Sequence, residues 1–406
     1  MTYLREFASY WPNLLGAAMG LAFGTALNQY MMNLFGPALI GEFGWSRAQF
    51  ALVGTLGLMA MFTMPLAGWI TDRFGARIAA SIGFTVVPLT YLLMSFQTGP
   101  IWQFYALMAL KASFGILTAT MVFTRVVVER YDRARGLAMA VMLCGPPLVG
   151  SVMAPIVAAI IEGEGWRTAY RLLAVLSALG GFGAVVLIGR GKAAPARAPR
   201  EALTWAKFRE MCTSRIFVLI ITAMFLINLP QVLVHSQLSL LLMENGATAM
   251  YAATLLSVYA ISVLVGRFAS GLALDRISPH IVAIFSLGLP VFGYLALAGD
   301  NNASWLLAIS VALVGLAQGA ETDIAAILTS RRFDIAHFSF VYSMLMTSQG
   351  LASAGGSALL SFTLRGGGTF DAFLIICAIV TLLGAFFFFL TGSGPKVRER
   401  IPGAIA

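Results

Sequence analysis

"GWITDRFGAR", residues 68–77, closes the second of a series of long apolar runs. Gly68 allows close helix approach and Gly75 a tight turn, with Asp72 and Arg73 between them and Arg77 at the end. The pattern returns in the second half of the chain. Gly271-x-x-x-Asp275-Arg276 lies 203 residues later, after the eighth apolar run. Arg130-Tyr131-Asp132, after the fourth run, returns as Arg332-Phe333-Asp334 after the tenth. The chain has 406 residues, so the offset is half its length. Such spacing predicts a duplicated unit.

The unit is a membrane unit. Hydrophobic residues make up 59% of the chain and charged residues 11%, more apolar surface than a soluble protein of this length can hide. The expected fold class is an all-α polytopic membrane protein of two pseudo-symmetric six-helix bundles. Twelve spans are predicted, at roughly 12–37, 49–70, 78–98, 102–128, 136–161, 167–189, 216–242, 249–272, 279–299, 304–328, 338–363 and 370–391. The longest loop, 190–215, is basic and Ala/Pro-rich. It predicts a linker between an N-terminal bundle, 1–189, and a C-terminal bundle and short tail, 216–406. Two repeats of this kind predict alternating access to a site between them near mid-membrane.

The net charge of +9 follows the same topology. With the N-terminus inside, nineteen of the 26 Lys and Arg fall in cytoplasmic segments, four at external ends and three within spans. That bias predicts both termini in the cytoplasm and an integral protein of the plasma (inner) membrane. It removes the reason to expect a nucleic-acid partner. The opening "MTYLREFASYWP" leads into an apolar run too long for a signal peptide. Cys144, Cys212 and Cys377 have neither pairing nor metal spacing. No P-loop, metal-ligand cluster or nucleophile elbow occurs, so neither an enzyme, a resident metal, a cofactor nor an ATP-driven pump is expected. A receptor on a transporter scaffold would need a signalling domain, and the tail after residue 392 is too short to hold one. Each pair of halves builds a complete pathway, so a functional monomer is expected.

Residues 68–77 match at every position the G-x-x-x-D-R-x-G-x-R loop of the major facilitator superfamily, and the chain resembles that family over almost its whole length. The resemblance implies a cytoplasmic latch between the halves, built from Gly68, Asp72, Arg73, Gly75 and Arg77 with Glu129 and Arg133, and from Asp275 and Arg276 in the second copy. Glu129 is the expected partner of Arg77. The plainer reading is a solvated turn. "EFGWSRAQF", "ERYDRARGLAMA", "GWRTAY" and "HSQLSLLLMENGATAMYAA" resemble the monocarboxylate transporter and oxalate–formate antiporter group. "GLAQGAETDIAAILTSRRF" resembles bacterial relatives of that group that carry organic acids. The resemblance implies a secondary transporter of a small organic carboxylate, by proton symport or anion exchange. Efflux of a drug or metabolite is the alternative within the superfamily.

The charges inside the spans carry the chemistry. Arg267, in "VGRFASGLALDR" (265–276), lies about two turns from Arg276, too far to snorkel easily. Arginine near a helix centre costs ~2.5–3.5 kcal/mol on insertion scales. Its planar fork matches a carboxylate, and the resembled group binds substrate with an arginine in this helix. The competing reading is an ion pair to Asp275 or to an acid of another helix. The group's proton-coupling aspartate is replaced here by Val263, its eleventh-span lysine is missing, and Tyr30 lies near the place of its first-span lysine.

Glu321 and Asp323 are the acids well inside a span, and either could carry a proton. Two residues apart on a helix, they point ~200° from one another. One is expected to face the cavity and the other a neighbouring helix or Arg125, with a static pair to Arg125 or Arg267 as the alternative. Lys111-x-x-x-Gly115 resembles a superfamily motif tied to proton transfer, and external snorkelling explains it equally well. Arg125 reads as a structural pair. His235 could titrate or donate to substrate, or be a hydrogen-bonded structural residue. Asn28, Gln29, Tyr30, Gln231, Tyr259, Tyr342 and Gln349 are the pool expected to orient substrate, about half of them by contact. Pro146, Pro147 and Pro155 in the fifth span, and Gly350, Gly355 and Gly356 in the eleventh, predict loosened helices beside the interface.

Overall fold

Apolar runs that cannot leave backbone amides facing lipid fold as helices. The computed structural model describes residues 3–131, 134–189, 205–274, 276–299, 303–333 and 335–393, and shows no strand among them. Ten segments of the described residues are long and apolar enough to cross a membrane. The other two predicted spans are helical as well. The first runs as Tyr3–Phe23 and Thr25–Phe43, and the eleventh as Ile335–Thr363.

The duplication seen in the sequence is repeated in the packing. The first span packs on the fifth and sixth, and the third on the fourth and sixth. Six spans on, the seventh packs on the eleventh and twelfth, and the ninth on the tenth and twelfth. Between the bundles the second span meets the eleventh, the fifth meets the eighth, and the first meets the seventh.

Among the described residues, the core shared by the bundles lies toward one end. One apolar core runs through both, with Met31, Phe35 and Phe50 packed together with Val234, Leu241, Leu256 and Phe370. At the end that carries residues 68–77 each bundle has a separate core, one around Phe123 and Tyr131 and the other around Ile324 and Phe388. Polar links between the bundles follow the same division. Arg47 pairs with Glu244, and Ser257 donates to the Ser151 carbonyl at 2.6 Å. Asn33, fully buried, donates to the Val234 carbonyl at 2.5 Å and accepts from the Leu238 amide at 2.8 Å.

Asn33 serves a break in the seventh span. Helix Arg215–Asn228 gives way at Leu229-Pro230 to a π turn, Leu233–Gln237, before Leu238–Glu244 resumes. The wide turn leaves backbone groups that a helix would have paired, and Asn33 takes two of them. The first and fourth spans are broken too, at Gly24 and at Ile116–Thr118, and repair one another. The Thr25 amide donates to Thr118 Oγ1 at 2.9 Å, and Thr25 Oγ1 donates to the Gly115 carbonyl at 2.6 Å. The proline-rich fifth span and the glycine-rich eleventh are each one continuous helix, Arg135–Glu164 and Ile335–Thr363. In the fifth span the glycines serve packing. Gly145 lies against the Ala18 carbonyl and Gly150 under the Tyr30 ring.

The eighth span, Ala249–Leu274, and the tenth, Ser304–Arg332, cross with their backbones in contact. A Cβ at Gly319 would overlap the Val263 carbonyl, and one at Gly266 would overlap the Leu316 carbonyl. Replacing Gly319 with alanine should force the two helices apart. The expected cost is about 1–3 kcal/mol of overpacking, read as a lowered thermal unfolding midpoint of the purified protein. An unchanged midpoint would show that this crossing carries little of the bundle's stability.

Candidate functional site

The glycine crossing sets the spacing of two charges. Arg267 Nη1 lies 3.3 Å from Asp323 Oδ1 and 3.5 Å from Oδ2. The arginine side chain is 17% exposed and the aspartate 33%, so the pair borders open space. Arg267 Nε is buried and has no hydrogen-bond partner. Tyr30 and Cys144 of the N-terminal bundle, and Tyr342 of the eleventh span, lie within electrostatic reach of the guanidinium. The Tyr30 and Tyr259 rings meet from opposite bundles, 6.2 Å between centroids. Arg267 thus stands between the bundles, with Asp323 on one side and tyrosines around it.

Glu321 points elsewhere. It is buried inside the C-terminal bundle, where Asn228 Nδ2 donates to one carboxylate oxygen at 2.5 Å and Gln318 Nε2 to the other at 3.2 Å. Gln231 Nε2 donates to Gln318 Oε1 at 3.2 Å. Neither acid meets Arg125. That expected contact is replaced by ion pairs of Arg125 with Asp72 and Glu129 in the other bundle.

The expected substrate pool divides accordingly. Tyr30 and Tyr342 lie near Arg267, and Tyr259 meets the Tyr30 ring. Gln231 belongs to the Glu321 network. Asn28 accepts from Lys111 Nζ at 2.5 Å. Lys111 does not snorkel outward as one reading expected. It is 2% exposed and sits 4.5 Å from the centroid of the Tyr91 ring, because the helix Ile101–Gly115 carries it into the bundle. Gln29 is exposed, and His235 and Gln349 are half-buried. His235 lies in the π turn of the seventh span. Asn33, Asn228, Gln318 and Thr381, which the sequence reading did not select, are buried or half-buried polar groups in the same two regions.

Among the described residues, Asp72 and Glu129 of the expected latch pair within the N-terminal bundle. Arg125 Nη1 donates to Asp72 at 2.6 Å and to the Thr71 carbonyl at 2.7 Å, and its Nε donates to Glu129 at 2.7 Å. The expected Arg77–Glu129 pair is absent among the described residues. Arg125 takes Glu129 because it sits one helical turn away on the same helix. Asp72 is 85% exposed at the side chain. Arg73 stacks over Trp69 and Phe74 at 5.7 and 5.8 Å. Gly68 touches nothing that a Cβ would meet, and Gly75 turns the chain with φ of 85°. Arg276 is exposed. Arg133 and Asp275 lie outside the described residues.

Two six-helix bundles joined at one end around a polar centre define an integral membrane transporter. The family model of the Major Facilitator Superfamily matches residues 18–298 and 234–404, and the chain belongs to that superfamily. It is 27% identical over 362 residues to monocarboxylate transporter 13 of Rattus norvegicus, covering 87% of this chain and 82% of that one. It is 23% identical over 379 residues to an agnestins efflux protein of Paecilomyces divaricatus, covering 91% and 82%. The crystal structure of the nucleoside transporter NupG has the same fold, with a TM-score of 0.75 at 16% identity over 95% of this chain and 99% of that one.

The Arg125 cluster gives a direct test. Asp72→Asn removes an exposed partner and should cost about 1 kcal/mol or less. Arg125→Ala also strips donors from Glu129 and the Thr71 carbonyl, and should lower the thermal midpoint further than Asp72→Asn does. Equal effects of the two changes would mean that the cluster contributes only its exposed pair.

Proposed function

We propose that the protein carries a small organic carboxylate together with a proton, by alternating access, with Arg267 as the anion site and Asp323 as the proton carrier. The observation that carries this reading is the unsatisfied guanidinium. Asp323 engages Arg267 through one nitrogen at long range, and Nε stays buried without an acceptor. A buried donor without a partner costs about 1–3 kcal/mol. A substrate carboxylate on the Nε edge would remove that cost and use the fork that arginine offers.

The pair also supplies the coupling. Asp323 and the substrate carboxylate compete for one positive charge. A proton on Asp323 weakens its hold and frees Arg267 for the substrate, so proton and anion bind cooperatively. Carriage of one proton with a monoanion cancels a charge that would otherwise work against the membrane potential, ~2.3 kcal/mol per 100 mV. With the basic loops taken as cytoplasmic, the end carrying residues 68–77 faces the cytoplasm and the bundles open inward. The latch would then close across the bundles in the opposite state, with one chain forming the whole pathway. Likeness to a monocarboxylate transporter supports the substrate class. Likeness to an efflux protein keeps export as the second reading. A fixed cation at the centre favours an anionic cargo in either direction.

Arg267→Lys should keep the fold and lose carboxylate binding by about tenfold or more, the worth of one charged hydrogen bond. Asp323→Asn imitates the protonated pair. It should bind carboxylate at least as tightly as the parent, lose pH-driven accumulation and retain counterflow exchange in proteoliposomes. Full pH-driven accumulation by Asp323→Asn would assign the proton elsewhere. Unchanged affinity in a folded Arg267→Ala variant would remove the anion site.

A further inference from the structure

The Glu321 network borders a partly open cavity whose lining does not include Arg267. Gln231 and Val234 of the seventh span, Leu287, Pro290 and Tyr294 of the ninth, Gln318 and Glu321 of the tenth and Thr381 of the twelfth line it. It has room for a single water-sized species. Thr381 is 1% exposed, and its Oγ1 has no hydrogen-bond partner. The Asn228 carboxamide oxygen is likewise buried without a partner.

The hydrogen bonds around Glu321 all run toward it. Asn228 spends its amide N–H groups on the Met224 carbonyl and on Glu321. Gln231 donates to Gln318, and Gln318 donates to Glu321. Both carboxylate oxygens are therefore held as acceptors, the arrangement of an ionised carboxylate. Among the described residues Glu321, 2% exposed, forms no ion pair. A buried ionised carboxylate needs a compensating charge.

We infer that this cavity is a site for one sodium ion, held by the Glu321 carboxylate, Thr381 Oγ1 and the Tyr294 hydroxyl, with a side-chain amide oxygen of Gln231 or Gln318. All are hard oxygen donors, which suit an alkali or alkaline-earth ion over a soft metal. A single carboxylate matches a single positive charge, and room for one water-sized species favours the smaller alkali ion. The broken seventh span passes beside the cavity, where interrupted membrane helices commonly hold ions. The inference stands apart from the carboxylate reading, since it involves neither Arg267 nor Asp323.

The test uses the full chain in detergent without substrate, at fixed pH and ionic strength, with sodium exchanged for choline or potassium. Thermal unfolding and binding of radioactive sodium are both read. Expected are saturable binding of one sodium per chain and a sodium-specific rise in the unfolding midpoint. Glu321→Gln and Thr381→Val should abolish both, whereas Thr381→Ser should retain them. Equal midpoints in all three salts, with no bound sodium, would overturn the inference in favour of an ordered water. In a parallel pH series at constant salt, stabilisation by acidification with indifference to sodium would overturn it in favour of a proton on Glu321. Sodium binding retained by Glu321→Gln would place the ion elsewhere. Loss of carboxylate transport by Arg267 variants with sodium binding intact would separate the two sites.

Discussion

The hydrocarbon of a bilayer offers no hydrogen bonds, so a backbone amide freed by a broken turn and kept from water must find a partner within the protein. Much of this structure answers that constraint. Thr25 and Thr118 bind the breaks of the first and fourth spans to each other. Asn33 binds the break of the seventh to the opposite bundle. Breaks fall where a partner bundle or a neighbouring break can absorb their polar groups. The fifth span stays helical through three prolines, and the Ser151 carbonyl, which Pro155 leaves without a helical donor, accepts from Ser257 of the opposite bundle.

The same rule sorts the charges. Arg267 and Asp323 sit on helices held in backbone contact by Gly266 and Gly319, so their separation is fixed by the packing of main chain and not by flexible side chains. Glu321 is on the same helix as Asp323 but turned into the bundle, where amides surround it. Lys111 is turned inward in the other bundle, onto Asn28 and the face of Tyr91, a cation held by an amide oxygen and a ring. These groups lie in separate environments: one between the bundles and one within each.

The sequence made the architecture readable because a half-length repeat and apolar runs are properties of order alone. Residues 68–77 and 271–276 reveal the duplication before any contact is known. The divergence of Glu321 and Asp323 follows from helical geometry, and the structure shows them on different sides of the tenth span. Their partners were not readable, because helical phase fixes direction around one helix but not which helix stands there. For this reason Glu129 was matched with Arg77 when Arg125 was nearer, and Gln231 was placed with the substrate pool when it faces Gln318. Asn33 and Thr118 gave no signal, since their importance depends on breaks whose positions only the folded chain defines. The breaks themselves fall at Gly24, at Ile116–Thr118 and near Pro230, while the six prolines and glycines singled out in the fifth and eleventh spans leave their helices intact.

Asn33 has a consequence for how the bundles part. Its side chain replaces water for two backbone groups of the seventh span, and it can do so only while the joined end stays closed. Separation there would wet the Val234 carbonyl, the Leu238 amide and the asparagine together. Closing that end is therefore a drying step in which solvent is traded for one carboxamide. Solutes excluded from the gap would lower the activity of the water that has to enter, and would hold the bundles in the arrangement seen here. Under the proposed alternating access, the balance between the two arrangements would become a function of osmolality, independent of any cargo.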